Sequence, residues 1–251
     1  MSVAVVLQAR TGSTRLPGKV LADLGGTTML GFLLDRLAPL PWPVVVATSD
    51  LNQDDAVATV AADHGVRVVR GPEQDVLARY RIALDETGAY VIVRLTADCP
   101  LLDPALVEEV VAAQADTGAD YASNTIVRCF PDGLDVEAIT ADALRVADAE
   151  ATDPEDREHV TPFVWRRPNR FAVTQVVAAP PRGLERWTVD TPDDLARVRE
   201  VVAACPLSTT AWRELLALVG PQKPSGRLPV PGSDPTAFTF IDHQPTHGAL
   251  T

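Results

Sequence analysis

Along the first half of the chain, short β-branched runs alternate with longer stretches whose apolar residues recur at helical spacing. Val3 to Leu7, Val44 to Ala47, Val66 to Val69 and Tyr90 to Leu95 read as strands. Between them, Leu30, Leu33, Leu34 and Leu37, then Val57, Val60 and Ala61, then Val76, Tyr80 and Leu84 each fall on one helical face. Parallel strands must be joined by crossovers, and amphipathic helices serve as those crossovers, so the alternation predicts an α/β fold with a mainly parallel sheet. At 251 residues and 46% hydrophobic content, one such unit has enough chain for a full core.

The second half is less regular. A helix from about Pro104 to Thr117 begins with Asp103 as its cap, a strand lies near Tyr121, and Gly133 to Ile139 reads as extended. Asp153-Pro154-Glu155 has the chemistry of a helix N-terminus, and that helix is expected to run towards Arg166; another begins at Thr191-Pro192-Asp193-Asp194 and runs to Ala204. After Cys205 the chain turns rich in Pro and Gly, apart from a short helix around Ala211 to Val219. The division is therefore a domain over residues 1–205 and an extension over 206–251, with Trp212, Phe238 and Phe240 as aromatic anchors for it.

A formal net charge of −12 argues against broad adhesion to nucleic acid or to an anionic membrane, both of which rely on a basic face. A small anionic ligand stays compatible, because a few cations in a cleft reverse the local potential. Cys99, Cys129 and Cys205 are odd in number and lack zinc-like spacing, so neither a disulfide framework nor a structural metal is expected. With no basic leader at the N-terminus and no apolar run approaching the roughly 20 residues of a membrane span, the expectation is a soluble, cytoplasmic protein.

The strongest local signal follows the first strand: Leu7-Gln8-Ala9-Arg10-Thr11-Gly12-Ser13-Thr14-Arg15-Leu16-Pro17-Gly18-Lys19. Small residues, hydroxyls and three cations let a loop turn backbone N–H groups towards a polyphosphate while neutralising it. A solvated loop with ordinary surface charges has the same composition. Val20 follows Lys19 where a Walker A loop needs Ser or Thr, and the Gly-x-Gly-x-x-Gly dinucleotide pattern is absent.

Two acids stand at strand ends. Asp98 follows the apolar strand that ends at Leu95, which places it at the carboxyl edge of the sheet beside the first loop, where a hard carboxylate suits magnesium. Asp190, in Trp187-Thr188-Val189-Asp190-Thr191-Pro192, is either a second metal carboxylate or a turn and capping residue.

Taken with Val76-Leu77-Ala78-Arg79-Tyr80, Asp132 to Glu137 and Arg157-Glu158-His159-Val160-Thr161, these blocks resemble the SpsF-type cytidylyltransferases, relatives of the CMP-sialic acid and CMP-KDO synthetases. The likeness covers roughly the first four-fifths of the chain, with its blocks in the family's order. It implies the three-layer α/β/α sandwich of nucleotide-diphospho-sugar transferases, CTP as substrate, and a divalent metal, Mg²⁺ or Mn²⁺.

Residue by residue, it implies a triphosphate loop carrying Arg10, Gly12, Ser13, Arg15 and Lys19, flanked by Leu7 and Ala9. Thr48, Gly71, Arg94, Thr96 and Ala97 complete the nucleotide side. Arg15, Lys19 and Asp98 are the catalytic candidates, and Asp98 with Asp190 forms the metal pair. On the acceptor side it implies Asn124, Asp132, Asp135, Glu137, Arg157 and His159, with Arg157 either pairing with an acceptor anion or salt-bridged to Glu155 or Asp156. Arg79 and Tyr80 are expected to pack a helix near the nucleotide without a catalytic part. The expected partners are CTP, a small acidic acceptor and a second copy of the chain, with a phosphonate or phosphate acceptor, another nucleotide, or a catalytically silent nucleotide-binding protein as alternatives.

Overall fold

Five of the six residues of the first strand, β1 (Val3–Gln8), are buried, and a strand this apolar needs helices on both faces of its sheet. The computed structural model of the chain, which describes residues 2–178, 185–204, 211–219 and 238–242, supplies them. After β1 a small antiparallel hairpin, β2 (Asp23–Leu24) and β3 (Thr27–Thr28), leads into α1 (Met29–Leu37), whose first turn is capped by the Thr28 hydroxyl. Strand–helix units follow: β4 (Val44–Ser49) and α2 (Asp55–Asp63), β5 (Arg67–Gly71) and α3 (Val76–Thr87), β6 (Val91–Thr96) and α4 (Pro104–Thr117). β7 (Tyr121–Ser123), β8 (Glu137–Thr140), α5 (Ala141–Glu150), α6 (Pro154–His159), α7 (Pro162–Trp165), β9 (Val173–Val177) and α8 (Pro192–Ala204) come next, then α9 (Trp212–Val219) and β10 (Thr239–Asp242).

The eight strands of the main sheet lie in the order β10-β9-β7-β8-β6-β1-β4-β5. Only β8 runs against its neighbours, β6 and β7, so the sheet is mainly parallel, as expected. Alternate residues of β1 feed two separate cores. Val3, Val5 and Leu7 join α1, α2, α4 and α8; Ala4 and Val6 join α3, α5 and α7. This is the three-layer α/β/α sandwich.

Several segments depart from the sequence reading. The helix expected to run from Pro154 to Arg166 breaks at Val160, which takes φ 72°, and Pro162, which has no N–H to donate back into α6, begins the separate helix α7. The extended segment expected from Gly133 pairs as a strand only from Glu137, since Gly133 sits at φ 115° and the Asn124 amide takes up the Leu134 carbonyl (2.7 Å) and the Val136 N–H (2.9 Å). The proposed division after residue 205 lies outside the described residues, as does Cys205. Beyond it, Trp212 is buried edge-on to Phe130 at 5.6 Å, and Phe238 is buried in the second core. Phe240 is exposed, on β10, which adds a parallel edge strand beside β9. Among the described residues no helix is long and apolar enough to cross a membrane.

Candidate active site

From β1 the chain moves outward to β4 and β5, then returns to the other side of β1 with β6, where Gln8 lies in register with Thr96. Such a reversal leaves a crevice at the carboxyl ends of the two strands, the place where open α/β sheets bind ligands. A cavity of 770 Å³ lies there, lined by Ala9, Arg10, Gly12, Ser13, Arg15 and Lys19 from the first loop and by Arg94, Thr96, Ala97 and Asp98 from β6 and its loop.

A residue that sequence reasoning missed holds the first loop. Asp54 accepts from the Thr11 N–H and the Thr11 hydroxyl, both at 2.7 Å, and from the Ser49 hydroxyl. Burial pushes the Asp54 carboxyl upward, but the Ser49 and Thr11 hydrogen bonds outweigh it and hold it below the usual carboxylate range. The loop closes on itself through Gly18 N–H to the Thr11 carbonyl, 2.9 Å. No spacing rule links position 54 to position 11; the contact exists because β4 lies beside β1.

Lys19 forms the centre of the cavity floor. Its ammonium donates to Asp98 Oδ2 (3.0 Å), Asp190 Oδ1 (2.9 Å) and the Val189 carbonyl (2.8 Å). Arg15 reaches Asp190 Oδ2 at 2.9 Å, and Arg186 donates to the same oxygen. Burial disfavours the charge on Lys19, yet Asp98 and Asp190 overcome this and raise its pKa; burial of Asp190 is likewise outweighed, by Lys19 first, so its carboxyl is held low. Lys19 and Arg15, expected on the triphosphate loop, thus lean on carboxylates, Lys19 on both Asp98 and Asp190 and Arg15 on Asp190.

The donor set fits a divalent cation of the magnesium type. Two hard carboxylates converge on the Lys19 ammonium, each within 3.0 Å of its nitrogen, and magnesium takes one or two carboxylates and completes its octahedron with water and phosphate oxygens. No group of three or more metal-ligating side chains occurs among the described residues, so the remaining donors would come from substrate and solvent.

The loop bearing Asp98 is pinned from both sides. Arg36, buried in α1, donates to the carbonyls of Leu101 (3.4 Å) and Leu102 (2.9 Å). Asp103 caps α4 through the Ala105 N–H (2.9 Å), as its sequence position before Pro104 predicts, and also accepts the Trp212 N–H at 2.9 Å. Val189 N–H donates to the Asp98 carbonyl, 2.8 Å, which ties the two carboxylate segments together.

The opposite wall is a network of buried ion pairs. Glu137 accepts from Arg94, from the Tyr121 hydroxyl (2.6 Å) and from the Thr161 hydroxyl (2.5 Å). Arg128 pairs with Asp135, whose pKa burial pushes up in spite of that cation. Asp132 accepts from Arg186 (2.9 Å) and Thr188 (3.1 Å). The chain can turn beside Asp132 only with glycine: a Cβ on Gly133, at φ 115°, would meet Thr188 N and Trp187 C at 2.7 Å. His159 lines the cavity at the end of α6, next to Val160, whose φ 72° and ψ −54° with the 2.8 Å Thr161 N–H to His159 carbonyl bond form a strained γ-turn.

Five candidates lie outside the cavity lining. Leu7 is fully buried in β1, where its position points it into the core. Thr48 is buried on β4. Gly71 ends β5 against α3, where a Cβ would lie 3.0 Å from Arg79 Cγ. Asn124 is spent on the backbone of the Gly133 loop. Arg157 is committed to Asp75 (2.7 Å) and Asp148 (2.9 Å), joining α6 to α3 and α5, so it is neither a cavity cation nor paired within its own helix. Cys99 and Cys129 are buried free thiols.

A family model described as cytidylyltransferase matches residues 4–201. The chain belongs to the cytidylyltransferase family. It is thereby a CTP-dependent nucleotidyltransferase. It is 34% identical over 207 residues to the spore coat polysaccharide biosynthesis protein SpsF of Bacillus subtilis, covering 78% of this chain and 85% of the relative. A solved cytidylyltransferase from Leptospira borgpetersenii superposes with a TM-score of 0.84 at 33% identity, over 87% of this chain and 94% of that one. A CMP:2-keto-3-deoxy-manno-octonic acid synthetase complexed with CTP shares the fold at 21% identity and TM-score 0.59, over 81% of this chain and 99% of that one.

Proposed function

We propose that this cytidylyltransferase moves CMP from CTP to an acidic sugar of the nonulosonic or 3-deoxy-octulosonic kind, with release of pyrophosphate. The observation that carries the reading is the convergence of Asp98 and Asp190 on Lys19 beneath the cation-bearing loop. An acceptor hydroxyl oxygen forms the new bond to the α-phosphorus of CTP, the bond from that phosphorus to the bridging oxygen breaks, and pyrophosphate carries that electron pair away. The acceptor's proton passes to His159, the cavity's imidazole among the described residues.

Magnesium or manganese held by Asp98 and Asp190 would supply charge neutralisation at the phosphate oxygens. Arg15, 62% exposed at its side chain, is free to swing from Asp190 to the phosphates, while Lys19, fixed by three acceptors, keeps the two carboxylates from repelling one another. Arg10, Gly12 and Ser13 line the triphosphate path. Asp132, Asp135 and Glu137 act through the arginines they hold, shaping the acceptor wall.

The acidic acceptor rests on relatives such as the 3-deoxy-manno-octulosonate cytidylyltransferase of Anaeromyxobacter dehalogenans, 30% identical over 80% of this chain; a phosphonate or phosphate acceptor is the second reading. The resemblance extends the proposal to a homodimer in the cytoplasm, which light scattering on the purified protein tests. The deciding experiment is pyrophosphate release with each of the four NTPs and magnesium against nonulosonic acids, KDO and phosphonates, with Asp98→Ala as control. Release confined to CTP and a sugar acid supports the reading; release with a phosphonate alone replaces it.

A further inference from the structure

Buried charges are paired as a rule, because an isolated ion loses its hydration without compensation. The cavity arginines follow the rule: Arg10 meets Glu73 and Glu158, Arg15 meets Asp190, Arg94 meets Glu137, Arg128 meets Asp135, and Arg186 meets Asp132 and Asp190. Arg79 does not. It is 2% exposed, it lines the same cavity, and its Nε and Nη1 are buried with no hydrogen-bond partner among the described residues. Burial pushes its pKa below the ordinary arginine value.

Nor is the side chain free to turn away. Its stem is wedged against Gly71, where even a Cβ would come within 3.0 Å of Arg79 Cγ. The adjacent Tyr80 is locked by its hydroxyl against the Val6 carbonyl (3.2 Å) and the Leu95 carbonyl (3.3 Å). The fold therefore holds an orphan guanidinium in place at the cavity, which is the signature of a group awaiting an acceptor from a ligand.

Position says which part of the ligand. α3 packs on β5, β4 and β1, so Arg79 enters from the β1–β4–β5 side and from the layer that holds Val6. Asp98 and Asp190 adjoin the opposite layer, through Ala97 and Val189. A nucleotide with its α-phosphorus at the two carboxylates extends its base away from them, towards α3.

We propose that Arg79 reads the pyrimidine: its guanidinium donates to the adjacent acceptors O2 and N3 of cytosine and so selects CTP over UTP. In uracil N3 carries a proton, and a planar fork of donors that matches an acceptor pair meets a donor instead. The proposal rests on CTP being the nucleotide donor.

The test is titration calorimetry of wild type, Arg79→Met and Arg79→Lys with CTP, UTP and inorganic pyrophosphate at one magnesium concentration, alongside thermal melts of the free proteins. Wild type should prefer CTP. Losing hydrogen bonds from a charged group should weaken CTP about 10- to 100-fold in Arg79→Met, with UTP and pyrophosphate unchanged, and Arg79→Lys, which keeps the charge but not the fork, should also lose the preference. The free Arg79→Met protein should melt no lower than wild type, because an unpaired buried charge has been removed. Equal weakening of all three ligands would make Arg79 a phosphate ligand or a folding residue and overturn the proposal, as would a CTP preference that survives in both variants. A wild type that binds UTP as well as CTP would overturn this proposal and the assignment of CTP as donor together.

Discussion

Removing Asp54 should separate the stability of the first loop from its function. The carboxylate accepts three hydrogen bonds, two from Thr11 and one from Ser49. In Asp54→Ala the Thr11 hydroxyl can turn to the Gln53 carbonyl, 3.4 Å away, but the Thr11 N–H and the buried Ser49 hydroxyl are left without that acceptor. At roughly 1–3 kcal/mol for each of these two unsatisfied groups, the loss is about 2–6 kcal/mol. Asp54→Asn is the informative control. Its amide oxygen can keep both Thr11 bonds and its amide nitrogen can donate to Ser49, whose hydroxyl reverses, so the loss should stay near 1 kcal/mol. Urea unfolding measures both, with a common slope as the check on comparability. CTP affinity should fall about 5- to 30-fold in the alanine variant, the equivalent of roughly 1–2 kcal/mol spent on reordering the loop. A loss in Asp54→Ala below about 1 kcal/mol, or a loss in Asp54→Asn equal to it, would refute the account of Asp54 as the anchor.

Other perturbations follow from the same geometry. Because the Asp54 and Asp190 carboxyls are held low in the folded chain, their stabilisation is fully present above the unfolded value of about 4 and is lost as pH falls through their lower folded values; acid unfolding followed by circular dichroism should lose part of that dependence in Asp54→Asn. Asp98→Ala should lower turnover about a hundred- to a thousandfold while the protein remains folded by circular dichroism. Lys19→Met should raise Mn²⁺ affinity in the absence of nucleotide, measured by electron paramagnetic resonance, since the ammonium that competes for both carboxylates is gone, and should lower kcat. Gly133→Ala forces a positive φ and a 2.7 Å contact on an L-residue, so its loss in urea unfolding should reach the upper end of about 1–3 kcal/mol. Trp212→Ala should cost about 3–5 kcal/mol by the same assay, because its ring is buried against Phe130.

How legible each part was depended on how local its cause is. α4 (Pro104–Thr117) begins at the residue its Asp-Pro signal names and ends before Gly118 in left-handed conformation, because capping and breaking are decided within a turn. That the β1 loop and Asp98 border one cavity was legible because a strand's end places its successor residues at the sheet's carboxyl edge. The break at Val160 was less so: Pro162 marks a boundary, but the γ-turn depends on Val160 being buried, and Thr161 held to Glu137, from outside the segment.

Arg157 and Arg79 show the limit on single residues. Both are arginines on helices near acids, and the sequence reading placed the first in the site and the second in the packing. The structure spends Arg157 on Asp75 and Asp148, 82 and 9 positions away, and leaves Arg79 buried at the cavity with its Nε and Nη1 unpartnered among the described residues.

Periodicity and strand-end chemistry by themselves determined an α/β architecture with a mainly parallel sheet and the edge of that sheet at which the β1 loop and Asp98 lie, because both follow from short-range rules of backbone geometry and burial; Asp190 they left open between a metal carboxylate and a cap. Which cations are paired and which are free, that Lys19 sits between Asp98 and Asp190, and that Asp54 holds the loop at Thr11 were decided only by the tertiary structure. Coulombic and hydrogen-bond partners are chosen by distance in space, and strands far apart in sequence, such as β1 and β6, bring those groups to within 3 Å.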